Sequence, residues 1–154
     1  MLYQKIMAPL DGSELAECVL PHVEALAKGC QVKEVTFVRV FEPFRPPGGE
    51  FPLSEEEVAR LESENKAAIL AYLQKLLGRF KVEGINVREE MLTGRVAETL
   101  AEYATEKKPD LIVIATHGRS GVSRWVWGSV ADRLLRSSCV PVLMVRAPGC
   151  IPGI

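Results

Sequence analysis

The 154-residue sequence lacks the features that mark several large classes of protein. No apolar run approaches the ~18–20 residues needed to cross a membrane, and the first residues lack the pattern of a signal peptide. With 19 basic and 20 acidic residues, the net charge is −1, which provides no electrostatic footprint for nucleic acid or an anionic membrane. These absences favour a cytoplasmic protein that binds neither nucleic acid nor membrane.

Candidate metal ligands and disulfide partners are also scarce. The four cysteines form no CxxC pair, and with only two histidines the chain completes no zinc-site spacing. We therefore expect no metal-binding residues. A cytoplasmic setting further predicts that all four thiols are reduced, namely Cys18, Cys30, Cys139 and Cys150.

What the sequence does contain is a fivefold alternation of apolar strands and amphipathic helices. Strands are predicted near residues 3–10, 32–40, 85–91, 111–115 and 140–145. Such alternation is typical of an α/β fold, here a single open, doubly wound, parallel five-stranded sheet with helices on both faces, which is Rossmann-like. We expect one domain over residues 1–147, followed by a flexible C-terminal tail at 148–154.

Local signals predict how several of the helices begin. Asp11-Gly12-Ser13 forms a turn in which Ser13 can cap the first helix, and Pro21 should bend that helix or lift its first turns. The predicted apolar face of this helix consists of Leu15, Val19, Val23, Leu26 and Ala27. Ser54, followed by three glutamates, predicts the start of a long helix that runs to Gly78. The prolines and glycines of 43–52 exclude a helix or a central strand there.

The stretch from Pro109 to Pro141 carries the clearest functional signal. A buried strand at 111–115 is followed by a loop containing Gly118 and Gly121, and then by a helix that begins near Gly128-Ser129. Its apolar stripe is Val130, Ala131, Leu134 and Leu135. Strand, glycine-bearing loop and helix start together gather backbone amides around a phosphate. An ordinary strand–helix connection of about 2–6 residues would be shorter.

Two common phosphate motifs are absent from the chain. There is no GxxxxGK[ST] loop and no GxGxxG after the first strand. The stretch instead resembles the ATP-binding branch of the universal stress protein family, whose signature is Gly, two residues, Gly, nine residues, Gly and Ser or Thr. Gly118, nine residues and Gly128-Ser129 match this signature, whereas Ala115 stands at the first glycine.

The resemblance covers nearly the whole chain and implies a strand order of 3-2-1-4-5. It also implies an ATP-binding regulatory protein of the stress response that holds the nucleotide between the first-strand turn and the 115–130 loop. The implied nucleotide-binding residues are Pro9, Leu10, Asp11, Val40, Ala115, His117, Gly118, Arg119, Gly128, Ser129 and Val130. The expected cofactor is ATP, with Mg²⁺ or Mn²⁺ as a candidate companion. The implied partners are a second copy of the chain, paired through the last strand, and a regulatory protein.

Alternative interpretations remain for both the residues and the function. The Asp11 turn can be a simple helix cap, His117 can be an orienting or solvent-facing imidazole, and arginines such as Arg119 are common in exposed loops. No dedicated catalytic residue stands out. After nucleotide binding, we rank a slow ATPase or phosphotransferase second and a dimeric interaction domain that binds no nucleotide third. The roles of Trp125 and Trp127 stay open.

Ala115 decides between the first and third of these functions. An alanine is strained where the backbone requires positive φ, but residues 114–116 continue a strand, in which φ is negative. The chain-turning glycines Gly118 and Gly121 are both present. The sequence therefore predicts that ATP binding survives this replacement, with at most a modest loss where the methyl group meets the ligand.

Overall fold

The computed structural model describes residues 2–44, 53–116 and 129–148. Five parallel strands form one sheet in the order β3-β2-β1-β4-β5. The strands are β1 Lys5–Pro9, β2 Glu34–Phe41, β3 Asn86–Thr93, β4 Leu111–Thr116 and β5 Val142–Arg146. The predicted α/β class and strand order are confirmed.

In the described ranges, four α-helices cover the two faces of this sheet. They are α1 Leu20–Gly29, α2 Glu55–Arg79, α3 Val96–Lys107 and α4 Ser129–Ser137. One buried cluster joins α1 and α2 to the sheet through side chains such as Val23, Phe37 and Leu73. A second cluster joins α3 and α4 to the opposite face, with Leu100 and Leu134 at its centre. The expectation of helices on both faces is therefore confirmed.

The start of α2 follows the predicted capping pattern. Ser54 Oγ accepts a hydrogen bond of 3.2 Å from the backbone N–H of Glu57, whose carboxylate accepts one of 2.9 Å from the backbone N–H of Ser54. The hydrogen bond from the Ser54 backbone N–H, followed by one of 3.1 Å from the Ser54 hydroxyl, lowers the pKa of the Glu57 carboxyl. The reciprocal pair satisfies two amides that the first helical turn would otherwise leave without partners.

The chain enters α1 differently from a simple capped helix. A 3₁₀ turn, Ala16–Val19, precedes α1, and Pro21 lies in the first turn of α1. Ser13 Oγ accepts a hydrogen bond of 3.1 Å from the backbone N–H of Ala16, the first residue of that turn. The N-cap position of α1 is Val19, so the prediction that Ser13 caps the first helix was wrong. The predicted disturbance of the first turns is confirmed, because proline cannot donate the backbone hydrogen bond of a continuous helix.

Two leucines assigned to apolar helix faces are instead exposed. Leu15 is 44% exposed because it precedes the 3₁₀ turn, so the helical period does not extend to it. Leu135 is 48% exposed on α4, where the buried contacts are made by Ala131 and Leu134. The predicted stripes were wrong at these two positions.

Both outer strands of the sheet pair on one side only. β3 pairs with β2, and β5 pairs with β4. β5 begins at Val142, two residues later than predicted, and the carbonyl of Pro141 accepts a hydrogen bond of 2.9 Å from the backbone N–H of Ile112. Within the described ranges, no helix has both the length and the apolar character that a membrane span requires.

Candidate functional site: a cleft at the carboxyl ends of the strands

A cleft of about 220 Å³ opens at the carboxyl ends of β1 and β2. Leu10 and Asp11 line it from β1, and Val40 lines it from β2. Helices α2 and α3 close its sides through Asn65, Ile69, Val96 and Leu100. In an open parallel sheet, ligands bind at this end of the strands, near the point where the strand order reverses. Three predicted site residues therefore lie around one cleft.

The turn after β1 has a backbone conformation that favours glycine. Gly12 has φ +85, a left-handed conformation that side-chain-bearing residues rarely adopt. A Cβ built on Gly12 would also lie 2.8 Å from Cζ of Arg39, so the end of that flexible side chain would have to move. Asp11 Oδ1 accepts hydrogen bonds from the backbone N–H and the hydroxyl of Ser13. This arrangement holds the carboxylate of Asp11 at the mouth of the cleft.

Arg39 is a cleft residue that the sequence analysis missed. Its side chain is half-buried, lines the cleft, and stacks 5.1 Å from the centre of the Tyr72 ring on α2. Its position in an apolar strand gave a weak signal, since charged residues are rare in such strands. The stacked ring lies on a helix that begins more than ten residues after β2 ends, so the contact itself had no local signature.

Tyr72 in turn connects α2 to the turn before α1. Its hydroxyl donates a hydrogen bond of 3.0 Å to Glu17, which also accepts one of 2.9 Å from Arg79. Burial, followed by the hydrogen bond to Glu17, raises the pKa of the Tyr72 phenol well above its usual range. Arg39, Tyr72, Glu17 and Arg79 therefore form one polar network beneath the turn, which we call the Tyr72 network.

Ala115 lies in β4, and its backbone has the strand conformation rather than a positive φ. The expectation from the sequence is confirmed on this point. Its side chain is buried in the same cluster as Leu10 and Ala16. The methyl group therefore packs into the core on the α1 side of the sheet, and only a small part of it can reach a ligand.

The remaining predicted residues fall into two groups. Pro9 is buried at the end of β1, Ser129 is exposed at the start of α4, and Val130 packs against the second core cluster. None of these three, nor Ala115, lines the cleft as far as the described ranges define it. His117, Gly118, Arg119 and Gly128 lie outside the described residues, as do Trp125 and Trp127.

The described residues offer little for a metal ion held by the protein alone. Across 2–44, 53–116 and 129–148, no group of three or more histidine, cysteine or acidic side chains is arranged to hold a metal. Cys18, Cys30 and Cys139 are free thiols in this part of the chain, and burial raises the pKa of the Cys18 thiol.

The sequence model of the Universal stress protein family matches residues 2–146. The chain belongs to this family. Among curated relatives, it is 35% identical over 151 residues to Universal stress protein MJ0531 of Methanocaldococcus jannaschii, covering 96% of this chain and 84% of that protein. The resemblance inferred from the loop signature is therefore confirmed at the level of the family.

Solved structures of universal stress proteins share the fold over almost the whole chain. The structure of MJ0577, from the same archaeon, superposes with a TM-score of 0.71 at 27% identity and covers 97% of this chain and 99% of its own. A universal stress protein in complex with cAMP superposes with a TM-score of 0.69 at 24% identity, covering 96% and 99%. The second likeness shows the fold alone.

Proposed function

We propose that this universal stress protein binds ATP at the carboxyl ends of β1, β2 and β4 and acts as a regulatory protein of the stress response. The observation that carries the proposal is the cleft itself, around which Leu10, Asp11 and Val40 converge from two strands. The cleft has an apolar floor, which suits a base, and polar groups at its mouth. Another universal stress protein is known in complex with cAMP, which makes adenine nucleotides the natural class to test.

In this proposal the base occupies the cleft and the phosphates extend towards α4. Val40 would offer backbone groups to the edge of the base, and Asp11 would face the ribose. The loop residues His117, Gly118, Arg119 and Gly128, with Ala115, Ser129 and Val130, would surround the phosphates. Amides at the start of a helix and a serine hydroxyl satisfy phosphate oxygens without a lysine.

The accompanying metal would be Mg²⁺ or Mn²⁺. Magnesium commonly binds through one or two carboxylates, substrate phosphates and water, and Asp11 is a carboxylate at the mouth of the cleft. The part of the chain that the structure describes supplies few ligands of its own, which fits a metal that arrives with the nucleotide.

The experiment has a first step that needs no assumption about the ligand. The purified protein is mildly denatured, and any released nucleotide is identified by mass spectrometry. ATP is then titrated into the nucleotide-free protein by calorimetry. Released or bound ATP supports the proposal, whereas the absence of both would identify the interaction domain that binds no nucleotide. Conversion of bound ATP to ADP over hours would support the slow ATPase.

A matched pair of variants tests the place of the base. Asn65 lines the cleft from α2, whereas Ser63 is exposed on the same helix and does not line it. Asn65→Trp should fill the cleft and weaken ATP binding about tenfold or more, whereas Ser63→Trp should leave the dissociation constant unchanged. Equal binding by both variants would place the base elsewhere.

A further inference from the structure

A second open space lies at the opposite end of the sheet, on the face that α3 covers. Its volume is about 400 Å³. We call it the amino-end groove, and its polar lining consists of Lys5, Glu34, Thr36, Arg88, Glu90, Tyr103 and Lys107. β1, β2 and β3 provide the floor and one wall, and α3 provides the other wall. The groove shares no lining residue with the cleft described above.

The carboxylates of the groove differ in their pairing. Glu34 Oε2 lies 3.2 Å from Nε of Arg88, which neutralises both groups. Lys107 is paired with Glu106, outside the groove, at 2.7 Å. Glu90 makes no direct ion pair or hydrogen bond with any residue that the structure describes, although its charge acts on Lys107 and adds to the effect of Glu106 in raising the pKa of that amine. It is half-buried, so its charge is only partly screened by water.

Thr36 is the second group in the groove that lacks a partner. Its side chain is only 9% exposed, and its hydroxyl makes no hydrogen bond with the described residues. Among the described residues, Glu89 Oε2 is the one side-chain nitrogen or oxygen atom that is fully buried and has no hydrogen-bond partner, so the Thr36 hydroxyl is not fully buried. The hydroxyl of Thr36 therefore retains access to the open space, and a buried polar group of this kind is normally satisfied by a ligand or water.

The surroundings of Tyr103 show the sign of the potential inside the groove. Burial raises the pKa of its phenol to about 12, and the charges of Glu90, Glu34 and Glu106 add to this effect against that of Arg88. Lys5 and Lys107 are exposed at the groove's edge. Around Tyr103, the carboxylates of Glu90 and Glu34 therefore outweigh the charge of Arg88, and the two lysines lie further out.

We propose that the amino-end groove binds a small molecule with a protonated amine, held by Glu90, and a neutral hydrogen-bonding group, held by Thr36 and Tyr103. Thr36 is paired in register with Arg88, and Val38 with Glu90. Thr36 and Glu90 are therefore diagonal neighbours on one face, and the spacing of parallel strands places their Cα atoms about 8 Å apart. A molecule with three or four carbons between its two polar groups has the length to span this separation.

Three probes of one size separate charge from shape. 3-Aminopropan-1-ol carries the amine and the hydroxyl, 1,3-propanediol replaces the amine with a neutral group, and 3-hydroxypropanoate replaces it with an anion. Each is titrated into the isotope-labelled protein while amide shifts are followed by NMR. The amine should give saturable shifts at residues 36, 90 and 103, and the other two probes should give none. Equal shifts with the diol, or shifts that do not saturate, would overturn the proposal.

Two variants and one control test the named residues. Glu90→Gln keeps the shape of the side chain but removes its charge, and should weaken amine binding about tenfold or more. Glu83→Gln makes the same change of net charge at an exposed position outside the groove and should leave binding unchanged. Binding by Glu90→Gln that equals that of the natural chain would overturn the assignment.

Thr36→Val provides a second, nearly isosteric test that does not alter charge. It should weaken amine binding several-fold, since the ligand loses one hydrogen bond. Amide spectra that overlay outside the groove verify the fold of each variant. All measurements are made with and without ATP, because this site does not depend on the nucleotide and should respond equally in both conditions.

Discussion

Tyr72 of α2 donates a hydrogen bond of 3.0 Å to Glu17, in the 3₁₀ turn that precedes α1. The two residues are 55 positions apart in the chain. This contact fixes the long helix α2 against the segment that follows the Asp11 turn. The Tyr72 network is therefore part of what holds the cleft open, and its stability depends on a neutral phenol.

The first prediction concerns alkaline pH. The pKa of Tyr72 is raised in the folded state, so the unfolded chain loses this proton first, near the ordinary value of 10.0. The stabilisation is complete below that pH and is lost as the pH rises through the raised value. Tyr72→Phe should cost about 1 kcal/mol or more at about pH 8 and less at about pH 11. Denaturant unfolding measures the free energy of unfolding of both proteins at each pH. A difference between them that stays the same at the two pH values would contradict the prediction.

The second prediction compares two glycines. Gly12→Ala places a Cβ 2.8 Å from Arg39 at φ +85, so it should destabilise the fold by about 1 kcal/mol or more and disturb the cleft. Gly78 lies in α2, where an added Cβ meets nothing within 4 Å, and Gly78→Ala should stabilise by about 0.5–1 kcal/mol. Thermal unfolding shows whether each substitution lowers or raises the stability. A neutral or stabilising Gly12→Ala would show that the turn does not need glycine.

The third prediction tests the place of the phosphates. Ser129 is exposed at the first position of α4, so Ser129→Ala should leave the fold intact. Losing one charge-assisted hydrogen bond costs about 1.5–3 kcal/mol, which corresponds to a roughly tenfold or greater loss of ATP affinity. Ser137→Ala at the far end of the same helix provides the control. An unchanged dissociation constant for Ser129→Ala by calorimetry would move the phosphates away from α4.

The fourth prediction concerns Ala115. Its methyl group packs with Leu10 and Ala16 in the core, and its φ is negative. Ala115→Gly should therefore cost about 1–2 kcal/mol of stability from the lost methyl group and the added backbone freedom. The affinity for ATP should be equal or slightly tighter. ATP binding that appears only in Ala115→Gly would instead assign the natural chain to members that bind no nucleotide.

The fifth prediction is that the chain forms a homodimer through β5. Among the residues that the structure describes, this strand pairs only with β4, and Leu143 is 37% exposed along it. An open apolar edge of this kind invites pairing with the same strand of a second copy. Light scattering should show a dimer for the natural chain and a monomer for Leu143→Lys. Leu70→Lys, at a leucine 41% exposed on α2, should leave the dimer unchanged. A natural chain that is monomeric at high micromolar concentration would refute the proposal.

The architecture was predictable because its signals are local. Most strands are short apolar runs bounded by turn residues, as at Leu111–Thr116, and parallel pairing buries both faces of such runs. The outer strand β3, in which residues 88–90 are charged, instead mixes polar and apolar residues. The capping box of Ser54 and Glu57 is complete within four residues. Proline at position 21 acts on its own turn of helix. Each feature depends on neighbours in the sequence, so the sequence alone determined it.

The cleft was only partly predictable because its walls come from distant segments. Asp11 and Val40 could be named from a family signature, but Arg39 gains its role by stacking on Tyr72 from another element. The same holds for the pairing of Glu34 with Arg88, which the register of β2 and β3 creates. No local pattern encodes a contact across tens of residues.

By itself, the sequence determined the elements of this protein, their alternation and the strand conformation of Ala115, because these follow from local backbone preferences and apolar periodicity. The tertiary structure alone decided that the Ala115 methyl packs in the core, that Leu15 and Leu135 are exposed, and that Glu90 and Thr36 share a groove. These outcomes depend on which surfaces meet when the helices pack on the sheet, and burial is a property of the assembled layers rather than of any one segment.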